Sequence, residues 1–274
     1  MPLESSTLTD FLLSLFVPGL IILACAGWGS LGPAPFKSIN PPSVYELAAW
    51  GLCYVGLLAL LGNLFFPLGE NVGIATLLVG LAAIFWKALS DRKLRRNLWT
   101  PIVMCIAYTI LAGRIAPSYD AGLYHIPYMN WIAKEPVVLG LANLEGRFGF
   151  NSLWLMIVSA FRFDFALSWS HLVYAEIAVR SLVLGWVLSR LTNAVKNGPS
   201  ALVILHSVSF WVILIFLLIM GRSTSTDHAA NLFAFLAWLR FSEMLLVKPT
   251  QTAETKSALL WILILVLLAI FFKL

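Results

Sequence analysis

The chain has 274 residues, of which 60% are hydrophobic and only 11% are charged, and its mean hydropathy is +0.89. Soluble domains are about 45–50% apolar and about 25% charged, so this composition excludes an ordinary soluble protein and indicates a multi-pass membrane protein. The formal net charge is +5. In a membrane protein an excess of Lys and Arg reflects the cytoplasmic loops, where these residues collect, and it does not indicate affinity for nucleic acid.

The sequence contains eight stretches that approach the roughly 20 mostly apolar residues needed to span a bilayer. Short connectors rich in Gly, Pro, Ser and Asn separate them. The predicted spans are Phe11–Trp28, Glu46–Phe66, Val72–Leu89, Trp99–Ile115, Ser168–Leu191, Ser200–Met220, Ala229–Val247 and Ser257–Phe272.

Basic residues predict the orientation of these spans. The connector after the third span contains Arg92, Lys93, Arg95 and Arg96, so the positive-inside rule places it in the cytoplasm. Alternation then places the N-terminus and the connector PLGEN outside, together with two polar loops, Pro117–Ser152 and Gly221–His228. We therefore expect both polar loops on the extracytoplasmic face, where they can border one cavity.

A ninth apolar run, Leu153–Phe161, is too short to cross a bilayer and is followed at once by Arg162 and Asp164. Counting it as a span would also reverse the charge bias of the later connectors. We expect a short interfacial or re-entrant helix that dips in from the outer face.

The three cysteines lie inside apolar runs without CxxC spacing, which is typical of buried small hydrophobic residues. The first ten residues carry two acids and no basic residue, so they lack the basic region of a signal peptide. No P-loop, GxSxG, HExxH or metal-binding motif is present. Soluble-type ATPase or hydrolase chemistry therefore has no support in the sequence.

The loop Pro117–Ser152 is the longest interval with many polar residues. Asp120 follows the fourth span within a few residues, and a partly desolvated carboxylate there can act as a general base. His125 and aromatic side chains lie nearby. The alternative interpretation is that Asp120 only caps a helix that starts near Ala121.

The second loop, Gly221–His228, is dense in hydrogen-bonding groups. The guanidinium of Arg222 suits a phosphate or carboxylate, and Asp227 can hold a sugar hydroxyl or a cation. The alternative interpretation is that Thr226 or Asp227 is the N-cap of the next helix.

Two charged residues, Glu176 and Arg180, lie four positions apart within the fifth predicted span and therefore share a helix face. Charges inside a membrane often mark a functional site. We favour a structural ion pair here, which faces other helices.

The first loop resembles that of a family of poorly characterised bacterial multi-pass proteins, whose pattern is Tyr-Asp-x-Gly-Leu-Tyr-His, a Trp, then Gly-Leu-x-Asn-Leu, Gly-Arg and Phe-Asn-Ser. The sequence ending in Asp227, STSTD, resembles a second marked segment of the same proteins. The positions that match the loop pattern are Tyr119, Asp120, Gly122, Leu123, Tyr124, His125, Trp131, Gly140, Leu141, Asn143, Leu144, Gly146, Arg147, Phe150, Asn151 and Ser152.

More distantly, the layout is similar to the GT-C class of membrane glycosyltransferases, which place an acidic residue in the first large extracytoplasmic loop. The resemblance implies transfer of a sugar from a polyprenyl-phosphate donor to a cell-envelope glycan, with Asp120 as the base. It implies a substrate-binding set of Tyr119, Tyr124, His125, Trp131, Asn143, Arg147, Asn151, Arg222 and Asp227. Because Asp120 has no adjacent second acid, we expect no metal or other cofactor.

The sequence as a whole predicts an all-α polytopic protein of the bacterial inner membrane. It would form one membrane domain over residues 1–274 with a functional loop over 117–152, as the N-terminal part of a longer protein. The expected partners are the bilayer, a polyprenyl-phosphate-linked sugar and a glycan acceptor, with no nucleic acid. A transporter or flippase of an amphiphilic glycolipid, or a non-catalytic assembly subunit, is the alternative function.

Overall fold

The computed structural model describes residues 8–32, 42–113, 115–144, 146–149, 152–163, 170–220, 224–246 and 252–273. Within these ranges the protein is all-α, without a β-strand, which confirms the predicted fold class. The helices are α1 Leu8–Leu31, α2 Val44–Asn63, α3 Glu70–Ser90, α4 Arg92–Asn97, α5 Thr100–Ala112, α6 Ile126–Lys134, α7 Leu153–Ser159, α8 Ser170–Asn197, α9 Ser200–Met220, α10 Thr226–Leu246 and α11 Thr252–Lys273.

Seven of the described helices, α1, α2, α3, α8, α9, α10 and α11, are long and apolar enough to cross a membrane. The protein is therefore consistent with the predicted multi-pass membrane architecture. Predicted span boundaries differ from the helix ends by a few residues, except for α9, whose bounds agree with the prediction.

The fourth predicted span, Trp99–Ile115, is shorter than predicted. Helix α5 has 13 residues and so extends about 20 Å, against about 30 Å for the hydrocarbon core. It ends at Ala112, and the next residue, Gly113, has a φ of 70°, which glycine adopts at little cost. The basic connector before it forms its own helix, α4, whose N-cap is Asp91: the Asp91 carboxylate accepts a hydrogen bond from the Leu94 N–H at 2.9 Å.

The short apolar run is a helix of seven residues, α7, as its length predicted. It packs against α2 and α11. Its side chains from Trp154 to Ser159 are buried, so α7 is enclosed by protein and does not lie on an open interface.

Helix α1 is central and packs against α2, α3, α5 and α8. Its close approach to two neighbours depends on glycine. A Cβ on Gly27 would lie 1.7 Å from the Gly80 carbonyl oxygen of α3, and a Cβ on Gly51 of α2 would lie 1.7 Å from the Cys25 carbonyl oxygen. Small residues at such crossings allow the helix backbones to touch.

Contacts between chain-distant segments define two ends of the molecule. At one, here called the loop end, the Leu68 N–H donates to the Ile132 carbonyl at 2.8 Å and the Thr224 N–H donates to the Ala116 carbonyl at 3.2 Å. The two polar loops therefore meet, as predicted. The side of the membrane on which the loop end lies stays a prediction.

The opposite end, here called the basic end, carries the Arg92–Arg96 connector and an ion-pair cluster. Arg190 of α8 contacts Glu243 of α10 at 2.6 Å and Glu46 of α2 at 3.9 Å. His206 of α9 lies 3.1 Å from Glu243. This cluster fixes the relative positions of four helix ends.

Candidate functional site

A buried amide at the end of α2 positions the first polar loop. Asn63 is 2% exposed, and its Nδ2 lies 3.3 Å from the Phe66 carbonyl oxygen and 3.4 Å from those of Ile132 and Glu135. The backbone carbonyl of Asn63 accepts a hydrogen bond from the Val137 N–H at 2.8 Å. The C-terminal end of α6 is therefore tied to the membrane helices.

A π-helical turn, Ala121–His125, leads into α6, and its start is capped by Ser118, not by Asp120. The Ser118 Oγ accepts from the Ala121 N–H at 3.1 Å, and the Ser118 N–H donates to the Thr224 Oγ1 at 3.2 Å. Asp120 has helical φ and ψ and makes no cap hydrogen bond. The capping interpretation of Asp120 is therefore wrong, and its exposed carboxylate has no capping role.

The second loop segment is also capped one step earlier than expected. The Ser225 Oγ accepts from the Asp227 N–H at 3.2 Å, so Ser225 takes the N-cap role that the sequence suggested for Thr226 or Asp227. The Asp227 carboxylate instead forms a salt bridge with Lys273, at the end of α11.

Between these loops lies a cavity of about 170 Å³. Its lining residues come from five separate parts of the chain: Tyr124, His125, Tyr128, Arg147, Ser152, Leu155, Thr226 and Lys273. The Ser152 Oγ donates to the Phe272 carbonyl at 2.6 Å, and this bond holds the end of α11 at the cavity wall.

The aromatic wall of the cavity is a pair of phenols with a cation beside it. The Arg147 guanidinium carbon lies 5.5 Å from the centre of the Tyr124 ring, within cation–π range. Burial raises the pKa of Tyr124, and the nearby Asp120 carboxylate adds to this. Burial also raises the pKa of Tyr128, so both side chains keep their hydroxyl protons at neutral pH and can donate hydrogen bonds.

His125 forms the inner wall. The residue is 4% exposed, and its buried Nδ1 has no hydrogen-bond partner among the described residues. Burial lowers the pKa of His125, and the carboxylates of Asp120, Glu176 and Asp227 oppose this only in part. The ring is therefore neutral at pH 7, and its Nδ1 is a polar atom that no described residue uses.

A second, larger space of about 740 Å³ runs along α10 and α11. It is an open groove with a polar head formed by Asp227 and Lys273. Lys273 lines both this groove and the smaller cavity. The rest of the groove is mainly apolar and includes Ala230, Ala234, Trp238, Phe241, Val266 and Ile270.

The predicted ion pair inside α8 is confirmed. Glu176 and Arg180 are 2.9 Å apart, with both side chains 0% exposed. Arg180 also donates to the Tyr108 hydroxyl at 3.2 Å and contacts the His228 Nδ1 at 2.7 Å. The Ser225 N–H donates to Glu176 at 3.3 Å. The pair thus anchors the segment before α10, which is a structural role.

The structure brings together only part of the predicted site. Three of the predicted residues line the cavity: Tyr124, His125 and Arg147. Asp227 reaches the same place through its salt bridge with Lys273. The other described members are not among the lining residues and are exposed, namely Tyr119, Asp120, Trp131 and Asn143. Asn151 and Arg222 lie outside the described residues.

Five lining residues were not in the predicted site, namely Tyr128, Ser152, Leu155, Thr226 and Lys273. Tyr128 lies four positions after Tyr124, a spacing that places both on one helix face, so this signal was available. Lys273 has no local signal, because its partner Asp227 is 46 positions away in the chain.

No curated protein and no solved structure matches this chain. The model of one protein family, described as "Domain of unknown function (DUF8201)", matches residues 11–274, which is nearly the whole chain. The protein with this two-loop cavity therefore belongs to the DUF8201 family.

Proposed function

We propose that this protein is a membrane glycosyltransferase of the GT-C kind. It transfers a sugar from a polyprenyl-phosphate donor to a cell-envelope glycan, on the extracytoplasmic face of the bacterial inner membrane. The observation that carries the proposal is the position of Lys273, which borders both the polar cavity and the long apolar groove. An amphiphile with an anionic head and a hydrocarbon chain is the ligand class that suits such a junction.

The lining residues suggest a place for each part of this donor. The cations of Arg147 and Lys273 suit a phosphate group, to which they can give charge-assisted hydrogen bonds. The rings of Tyr124 and Tyr128 offer apolar faces and hydroxyl donors to a sugar. The groove along α10 and α11 gives the isoprenoid chain an apolar path that opens toward the lipid.

The proposed chemical step needs one proton acceptor. The acceptor hydroxyl loses its proton as its oxygen bonds to the anomeric carbon of the sugar, and the bond from that carbon to the phosphate oxygen breaks. The electron pair remains on the phosphate, which leaves as a polyprenyl phosphate. Asp120 is the proposed base, because its exposed carboxylate acts electrostatically on Tyr124 and His125 of the cavity wall and is not used as a helix cap.

The same junction also suits a transporter or flippase of a glycolipid, which would bind the amphiphile without breaking a bond. The buried Glu176–Arg180 pair does not favour that alternative. Both side chains are inaccessible and bonded to neighbouring structure, whereas transport sites expose charge to a pathway.

The deciding experiment compares two matched substitutions in a deletion strain, with the surface glycans as the readout. Asp120→Asn keeps the shape of the side chain but removes the proton acceptor. We expect it to lower transfer by about 10²–10⁴-fold, the usual contribution of general acid–base catalysis. Asp91→Asn is the control, since Asp91 only caps α4 at the basic end and Asn caps a helix equally well.

Membrane levels of each variant are measured in parallel. Loss of a glycan species that the wild type and Asp91→Asn restore, but Asp120→Asn does not, supports the glycosyltransferase. Full restoration by Asp120→Asn would remove the proposed base and favour transport or assembly.

A further inference from the structure

The cavity wall holds a polar group, the His125 imidazole, that takes no part in the proposed transfer step. The His125 ring is nine-tenths buried, lines the 170 Å³ cavity and has a buried Nδ1 without a partner among the described residues. A buried polar atom without a partner costs free energy. Because the ring lines the cavity, a ligand bound there is in a position to interact with the imidazole.

The charges around the ring indicate the class of that ligand. Two cations, Arg147 and Lys273, line the same small space together with Thr226, whereas the Ser152 hydroxyl already donates to the Phe272 carbonyl. Lys273 also forms a salt bridge with Asp227, which does not itself line this cavity. This set of donors suits an anion with several acceptor oxygens, such as a phosphate group.

We propose that the cavity binds the spent carrier, a prenyl phosphate monoester in its dianionic form, and that His125 takes up one proton when this group binds. The inference rests on the proposed function, and it names the ligand state that the site recognises. The sugar-loaded donor is a phosphodiester with one negative charge. The phosphate gains its second charge when the glycosidic bond breaks, and the proton on His125 offsets that charge.

The charged and titratable groups that face the ring come from several elements. The carboxylates of Asp120, Glu176 and Asp227 stabilise the protonated ring. Burial outweighs them and keeps the pKa of free His125 below its ordinary value. A phosphate dianion adds a much closer negative charge and raises that pKa. Among the described residues, the charged and titratable neighbours are Asp120, Tyr124, Tyr128, Arg147, Glu176, Asp227 and Lys273.

The direction of the pH dependence follows from the difference between the pKa of His125 in the free protein and its pKa in the phosphate-bound protein. Between the lower pKa of the free ring and the higher pKa of the loaded ring, binding takes up a proton, so affinity rises as pH falls through that window. The limit for one coupled proton is about tenfold in Kd per pH unit. Above the upper pKa the ring stays neutral in both states and the coupling disappears.

The test measures binding to the full chain in lipid nanodiscs by calorimetry, between pH 8 and 6.5, in two buffers of different ionisation enthalpy. The probes are farnesyl phosphate, farnesyl methyl phosphate as the matched diester, and inorganic phosphate as the head group alone. For the wild type we expect the Kd of farnesyl phosphate to fall by up to about tenfold per pH unit, with net proton uptake. The diester should show a much weaker pH dependence.

His125→Gln keeps hydrogen-bonding capacity but cannot titrate, so it should retain binding and lose both the proton uptake and most of the pH dependence. His206→Gln is the matched control, because it removes a buried imidazole at the basic end. It should behave as the wild type, and thermal unfolding confirms that each variant is folded.

The outcomes separate this inference from the proposed function. Farnesyl phosphate binding with an unchanged pH dependence in His125→Gln would overturn the role of His125 alone. No binding of either farnesyl ester at any pH would overturn the proposed function as well. Inorganic phosphate that binds as tightly as farnesyl phosphate would overturn the lipid source of the anion.

Discussion

At the scale of single residues, the loop depends on side chains that look unremarkable in the sequence. Asn63 is one amide at the end of an apolar helix, yet its Nδ2 reaches three backbone carbonyls. Those carbonyls belong to the turn after α2 and to the end of α6. This one residue therefore holds the wall that carries Tyr124 and His125 against the membrane helices.

Replacing Asn63 with Ala should destabilise the protein, because it removes the hydrogen bonds that the buried Asn63 amide donates to three backbone carbonyls. We expect a loss of about 1–3 kcal/mol in the free energy of unfolding, measured as a lower midpoint of thermal unfolding in detergent. Asn143→Ala is the control, since Asn143 is an exposed amide of the same loop. Equal midpoints for the two variants would show that the Asn63 bonds contribute little.

At the scale of elements, helix packing depends on glycines that let α1 touch its neighbours. Gly27 faces the backbone of α3, and Gly51 faces the backbone of α1. Because the contacting atoms are backbone atoms, they cannot rotate away as a side chain can. The positions of α2 and α3, and thus of the loop that α2 supports, follow from these contacts.

Gly27→Ala should therefore push α1 and α3 apart. Overpacking of a tight interface costs about 1–3 kcal/mol, occasionally more, and we expect a lower unfolding midpoint and less monodisperse protein. Gly122→Ala serves as the matched control, because a Cβ there meets nothing within 4 Å. The packing argument fails if both substitutions have the same small effect.

At the scale of the whole molecule, the polar loops collect at one end and the Arg92–Arg96 connector lies at the other. The polar loops are held together at the loop end because their segments are hydrogen-bonded to one another. The basic residues predict the orientation of the protein in the membrane, with the loop end outside. Proposed transfer to an envelope glycan depends on that orientation.

Cysteine labelling of intact cells tests the orientation. We expect a membrane-impermeant maleimide to label Asn143→Cys, at the loop end, in intact spheroplasts, and to label Lys93→Cys, at the basic end, only after permeabilisation. Both positions are exposed, and the native cysteines are buried or half-buried within helices. The reverse pattern would place the cavity in the cytoplasm and remove an extracytoplasmic acceptor.

The sequence by itself determined the all-α membrane class, most helix positions, the short α7 and the Glu176–Arg180 pair. These follow from local properties: hydrophobic length, breaker residues and a spacing of four along one helix. The sequence also predicted that the two loops lie on the same face, because the number of spans between them and the basic residues of the connectors can be read along the chain.

Tertiary structure decided which residues share the cavity. Lys273 and Tyr128 line it, whereas the exposed Asp120, Trp131 and Asn143 do not. It also decided that Ser118 and Ser225 are the caps, which left Asp120 and Asp227 without that role. The physical reason is that burial and salt-bridge partners depend on how α2, α7, α10 and α11 pack, and residues 46 positions apart meet only after that packing is complete.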